Sequence, residues 1–176
     1  YCRISTAKQS IERQISNIKD AYPVIDEMKD LYTESFTGTQ ISRPQFDKLL
    51  KRVQPGDTIV FDSVSRMSRN AEEGIELYFE LYNKGINLVF LKEAYINTET
   101  YKSTLSNQQI EHVGNDIADI YIDATNKVLR MLAEKQIRIA FDQAEKEVTD
   151  LQTRTKEALQ KKKDRGEKLG HEVGDT

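Results

Sequence analysis

The sequence predicts an α/β domain: an open, mostly parallel sheet flanked by helices, followed by a long C-terminal oligomerisation helix. Three observations carry that prediction. Short apolar runs alternate with stretches whose apolar residues recur at helical spacing, in the order β-α-β-α-β-α-β. Turn signals separate the runs, with Pro55-Gly56-Asp57 the clearest. Beyond about residue 99 no strand pattern and no proline occur, and a heptad repeat takes over.

Each element follows from local chemistry. Tyr1 to Ser5 reads as the end of a first strand. From Lys8 to Ala21, Ile11, Ile15 and Ile18 share one face of an amphipathic helix, which Pro23 ends. Val24 to Glu34 is expected as a second strand, running into a polar loop from Ser35 to Ser42. Ser42 is the expected N-cap of the next helix, with Pro44 near its first position and Phe46, Leu49 and Leu50 facing inward. Thr58 to Phe61 is a short apolar run suited to a buried parallel strand. A helix carrying Ile75, Leu77, Tyr78 and Leu81 stops near Gly85, and Ile86 to Leu91 forms the last strand.

The expected organisation is an α/β domain over residues 1–100, an extra helical segment over 101–128, a long helix over 129–170 and a tail over 171–176. In the long helix Ile137, Phe141, Ala144, Val148, Leu151, Thr155 and Ala158 repeat at spacings of four and three, a seam suited to another helix. Such a helix projects beyond one domain, so self-association is expected. The chain begins without Met, inside a strand, and stops in a turn-like tail; it is expected to be a fragment of a longer protein.

Composition narrows the classes. Charged residues make up 31 % of the chain and no apolar run approaches the roughly 18 residues of a membrane span, so a soluble protein without membrane contact is expected. Cys2 is the only cysteine, which excludes an internal disulfide and fits a reducing, cytoplasmic interior. His112 and His171 lie far apart, and no Cys/His cluster has zinc spacing. The net charge of −3 is unlike a dedicated DNA-binding domain, yet the basic residues concentrate at one end. Between Arg154 and Gly170 seven basic residues (Arg154, Lys156, Lys161, Lys162, Lys163, Arg165, Lys168) face three acidic ones. That is either a nucleic-acid footprint or a solvated helix face.

Open α/β sheets place their sites at the carboxyl ends of the strands. Three stretches should meet there: Arg3 to Thr6, Gly38 to Arg43, and Ser65 to Arg69. They bring the Ser5 hydroxyl together with Arg3, Arg43, Arg66 and Arg69. Guanidinium groups are fixed, permanently charged donors matched to phosphate oxygens, and clustering them costs repulsion that a phosphate would relieve. Phosphoryl transfer is the chemistry this points to. A purely structural reading, with the arginines on helix surfaces and Ser5 as a helix cap, stays open at this level.

The motifs also resemble a known family. Tyr1-Cys-Arg-Ile-Ser-Thr6, then Gln9 and Gln14, Gly38 to Arg43-Pro44, and Asp62-Ser-Val-Ser-Arg-Met-Ser-Arg-Asn70 are together similar to the resolvase/invertase family of serine site-specific recombinases. The resemblance covers roughly residues 1–98 and resumes over Gln143 to Gly170. It implies a resolvase-like fold and a DNA strand transferase in which Ser5 attacks a phosphodiester to form a 5′-phosphoserine link. It further implies that Arg3, Arg66 and Arg69 hold the phosphate with Arg43 nearby, and that Arg66 assists the hydroxyl leaving groups. Tyr1, Gln9, Gln14, Thr37 and Ser65 would support the site, and Glu147 would lie near an interface. Arg154, Lys161, Lys162, Lys163 and Arg165 would approach double-stranded DNA. No ATP, cofactor or metal is implied; the assembly is a homodimer, paired into a tetramer at synapsis, and the setting is a prokaryote, phage or mobile element.

Two departures stand out. Ser65 occupies the position where the family often has an acid, with Asp62 three residues earlier not an obvious substitute, and Val148 follows Glu147 where arginine is usual. A serine hydrolase lacks its Gly-x-Ser-x-Gly elbow here, and a nucleotide-binding domain lacks its glycine-rich loop. The alternative from another class is a catalytically decayed, DNA-associated oligomerisation module of the same fold. Retention of Ser5 with four arginines argues against decay.

Overall fold

The computed structural model describes residues 1–4, 11–35 and 43–165. Four short strands, β1 (Cys2–Ile4), β2 (Thr33–Ser35), β3 (Thr58–Phe61) and β4 (Asn87–Phe90), form two parallel pairs, β1 with β2 and β3 with β4. The Tyr1 amino group donates to the Val60 carbonyl at 2.8 Å and sets the pairs side by side. The order is therefore β2-β1-β3-β4, an α/β fold with the parallel sheet expected.

Period-two alternation assigns the two faces. Ile59 and Phe61 of β3, with Leu88 and Phe90 of β4, point into the larger core, where the Phe61 and Phe90 rings stack at 5.3 Å. Val60, Val89 and Cys2 face the opposite side, covered by Ile11, Ile15 and Ile18 around helix α1 (Glu12–Ala21). Residues 8–10 of the helix expected from Lys8 lie outside the described residues.

The expected second strand is mostly not a strand. Asp26 accepts a hydrogen bond from the Met28 N–H at 3.0 Å and caps a single helical turn, α2 (Glu27–Asp30). Only Thr33–Ser35 pairs with β1, because the capping carboxylate competes with the strand conformation of the preceding residues. Helix α3 (Pro44–Arg52) starts with Pro44 at its first turn and buries Phe46 and Leu49; the expected Ser42 cap lies outside the described residues.

After β3 come the short helix α4 (Val64–Met67) and helix α5 (Ala71–Asn83), capped by the Asn70 side chain on the Glu73 N–H. Gly85, with φ 76°, closes the turn into β4. The segment expected as a separate piece over 101–128 is divided in two. Helix α6 (Thr98–Gln108) belongs to the core: the buried Thr98 hydroxyl lies within hydrogen-bond reach of both the Leu88 N–H and carbonyl, and Tyr101 is buried. Helix α7 (Asp116–Asp164) already begins at Asp116, where Asn115 accepts from the Ala118 N–H. Tertiary hydrogen bonds to β4 drew the α6 boundary, which helical periodicity cannot show.

At 49 residues α7 runs about 73 Å at 1.5 Å per residue. Its heptad seam does not serve one partner. Ile137, Ala140, Phe141 and Ala144 pack onto the chain's own core, with Phe141 edge-on to Tyr78 and Phe90. Gly74 makes room: a Cβ there would lie 2.4 Å from the Phe141 ring. From Leu151 to Arg165 every residue is exposed. Among the described residues no helix is long and apolar enough to cross a membrane.

Candidate functional site

Arg3, Arg43 and the stretch from Ser65 to Met67 meet at the carboxyl edge of the sheet; residues 5, 6 and 38–42 of the expected stretches lie outside the described residues. Arg3 leaves β1 7 % exposed, and its guanidinium donates to the Ser65 carbonyl at 2.7 Å. Arg43, at the N-terminus of α3, donates to the Met67 carbonyl at 2.6 Å and the Arg66 carbonyl at 3.2 Å. Both therefore bind the carbonyl end of α4, the negative end of a short helix. Arg43 also lies over the Phe46 ring at 3.9 Å, a cation–π contact that holds its plane.

Gln14 is buried on α1 and bonds to the Arg3 backbone. It accepts from the Arg3 N–H at 3.1 Å and donates to the Arg3 carbonyl at 2.9 Å, pinning the backbone two residues before Ser5. Tyr1 packs on Phe46 at 4.8 Å and donates its hydroxyl to Glu34 at 2.9 Å, while the Arg43 Nε reaches the same hydroxyl at 3.4 Å. Ser65 is half-buried, its hydroxyl 3.0 Å from that of Ser63. Ser5, Gln9 and Thr37 lie outside the described residues.

Electrostatics give the edge its character. Burial, then the charges of Arg43, Arg69 and Arg66, pull the Arg3 pKa down to about 10. Burial likewise lowers Arg66, which Asp62 partly offsets, and lowers Arg69, helped by Arg66 and Arg43. Among the described residues no ion pair joins any of these four arginines to a carboxylate. The Nε groups of Arg3 and Arg66 are buried with no hydrogen-bond partner among the described residues. A buried charged donor left unpaired is costly, so the arrangement favours an incoming anion.

A cleft of about 750 Å³ opens from this edge onto α7, bordered by Ser65, Arg66 and Arg69 on one side and Glu147, Arg154 and Lys156 on the other. Glu147 and Arg154 thus face the site across a gap. Lys161, Lys162, Lys163 and Arg165 do not meet it; they sit at the exposed far end of α7.

Sequence reasoning missed two buried acids. Glu34 accepts from Tyr1 and from the N–H groups of Gln45 and Phe46, so it caps α3 and anchors Tyr1 beside Arg43. Its place at the end of β2, next to an arginine-rich edge, was the available signal. Asp62 is fully buried at the end of β3, accepting from Asn17 at 2.8 Å, with Lys92 at 3.5 Å. It acts on Arg66 from the position that sequence spacing dismissed.

Fold and site together define an α/β domain with a cationic sheet edge facing a long helix. The model of the resolvase N-terminal domain matches residues 1–138. The chain is 32 % identical over 98 residues to a resolvase of Clostridium perfringens, covering 56 % of this chain and 50 % of that protein. It is 32 % identical to the transposon Tn501 resolvase of Pseudomonas aeruginosa, over 56 % of this chain and 48 % of the relative. It is 31 % identical over 113 residues to the transposon Tn552 resolvase of Staphylococcus aureus, over 64 % and 53 %. The chain belongs to the resolvase N-terminal domain family, and it spans about half the length of the curated relatives it matches.

Proposed function

We propose that this chain performs the strand-exchange chemistry of site-specific recombination on double-stranded DNA, with Ser5 as nucleophile. The observation that supports it best is the convergence of Arg3, Arg43, Arg66 and Arg69 at the end of β1, with the Nε groups of Arg3 and Arg66 buried and without an acceptor among the described residues. In the reaction a bond forms between the Ser5 hydroxyl oxygen and phosphorus while the bond to the 3′ oxygen breaks. The serine proton is released, and the leaving oxygen takes one up, with Arg66 assisting. The phosphoserine ester keeps the energy of the broken bond, so religation to a new partner needs no ATP. Positioned cations stabilise the charge that develops on the phosphate.

Burial serves this chemistry: guanidinium charges held in a low dielectric act more strongly on a phosphate than solvated ones. Gln14 fixes the strand end from which Ser5 follows. The basic end of α7 supplies sequence-independent phosphate contacts, and the assembly is a homodimer that pairs into a tetramer. The domain over 1–100 is the catalytic part, in a cytoplasmic protein of a bacterial mobile element.

The test is a nicked DNA substrate whose broken end escapes after cleavage and traps the covalent adduct. The protein should form a protease-removable adduct, and Ser5→Ala should form none while keeping its fold. Adduct formation by the alanine protein would overturn the assignment.

A further inference from the structure

Much of the arginine edge hangs on α4, which is a single helical turn. It carries Ser65 and Arg66, and its carbonyl end receives Arg3 and Arg43. Val64 and Met67 are fully buried and fix one side of the turn. One turn of helix has too few internal hydrogen bonds to keep its own direction, so its ends must be held from outside. The two arginines hold the carbonyl end.

The other end is held from a distant part of the chain. Ser63 stands at the N-cap position, but its side chain makes no capping bond; its hydroxyl lies 3.0 Å from that of Ser65. The Val64 N–H donates instead to the Glu93 carboxylate at 3.0 Å, 29 residues away in sequence. Glu93 is itself anchored. It follows Leu91 and Lys92, whose N–H groups donate to the Phe61 and Asp62 carbonyls, and its own carbonyl accepts the Ile96 N–H at 3.0 Å. Its side chain is half-buried and borders the same cleft as Ser65, Arg66 and Arg69.

We propose that Glu93 is a positioning residue for strand cleavage, its carboxylate holding the start of α4 so that Arg66 keeps its aim at the phosphate. This rests on the reading of the arginine edge as the cleavage site. In this role Glu93 acts through the Val64 N–H and not on the phosphate itself. The charged and titratable groups around it are Arg66 on α4, Arg69 beyond it, Lys92 at the end of β4, Tyr95 in the following turn, and Glu147 and Asp150 on α7. Its pKa is raised, by burial first and by the Glu147 charge as well, against the pull of the Val64 bond and Lys92. The bond to Val64 is therefore charge-assisted near neutral pH. It weakens in mild acid, before an exposed glutamate would take up its proton.

Two substitutions test this in the nicked-DNA assay. Glu93→Ala removes the acceptor, whereas Glu93→Gln keeps an acceptor without charge. At saturating DNA, Glu93→Ala should form adduct about thirtyfold more slowly, with DNA affinity within about twofold of the native protein. Glu93→Gln should stay within about fivefold of the native rate. As pH falls from about 8 to about 5, the rate of Glu93→Gln relative to the native protein should rise, because only the native side chain loses charge. A purely structural defect leaves that ratio flat. Native rates in Glu93→Ala, equal losses in the two variants, or a flat ratio would each overturn the proposal. If Glu93→Ala does not fold, the pH ratio of Glu93→Gln decides alone. Adduct formed by the native protein and lost in Ser5→Ala upholds the cleavage reading whichever way the Glu93 variants fall, so the two failures are distinguishable.

Discussion

The docked and projecting parts of α7 share one heptad seam and have opposite fates. Ile137, Phe141 and Ala144 are buried against α5 and β4, whereas Leu151, Thr155 and Ala158 stand in solvent. The difference comes from what lies opposite. Gly74 leaves a socket for Phe141, and the Ala71 N–H, at the start of α5, donates to Glu145 at 3.3 Å. Among the described residues no element covers Leu151, which is 60 % exposed. A heptad pattern specifies which face of a helix is apolar; it does not specify whose surface covers it.

The arginine edge and its cleft lie at the junction of the two parts, where Glu147 and Arg154 face Arg66 and Arg69. The docked part therefore fixes one wall of the site. The projecting part carries the basic tip away from it.

Substitutions in the two parts should differ sharply. Phe141→Ala removes a side chain that is 1 % exposed and should cost about 3–5 kcal/mol in chemical denaturation. A cost under about 1 kcal/mol would mean that α7 is not docked as described. The next largest effect concerns the arginine edge. Arg3 has a folded pKa of about 10, below its unfolded value, so its charge opposes folding at all lower pH. That penalty fades as pH rises through 10. Arg3→Met should therefore raise Tm by about 2–4 °C near neutral pH, offset in part by the lost bond to Ser65, while abolishing adduct formation. The gain should shrink at pH 10 and above. Inorganic sulfate, by occupying the edge, should stabilise the native protein more than Arg3→Met.

Changes in the projecting part should leave folding alone. Leu151→Ala should alter stability by less than about 0.5 kcal/mol in dilute protein. Replacing Lys161, Lys162 and Lys163 with alanine should leave Tm unchanged and flatten the salt dependence of DNA binding, by up to about 0.9 in log–log slope per lost phosphate contact. An unchanged slope would remove these lysines from the DNA path.

Much of the fold was readable because its causes are local. The short apolar runs of β3 and β4, Pro44 at a helix start, and the glycine turns at 56 and 85 each act within a few residues. The exception was also local but subtler: Asp26 turned part of an apparent strand into a helical turn. The arginine motifs were legible because parallel sheets bring strand ends to one edge. Glu34 and Asp62 were not, since an isolated acid in sequence says nothing about burial.

The sequence by itself determined the α/β alternation, the arginine-rich edge, the identity of the apolar faces and the long helix. Tertiary structure alone decided where that helix begins, which part of its seam is spent on the chain's own core, and which part stays in solvent. The physical reason is that periodicity records a face, whereas burial depends on the shape that meets it. Gly74 beneath Phe141 and solvent beside Leu151 are properties of the folded chain.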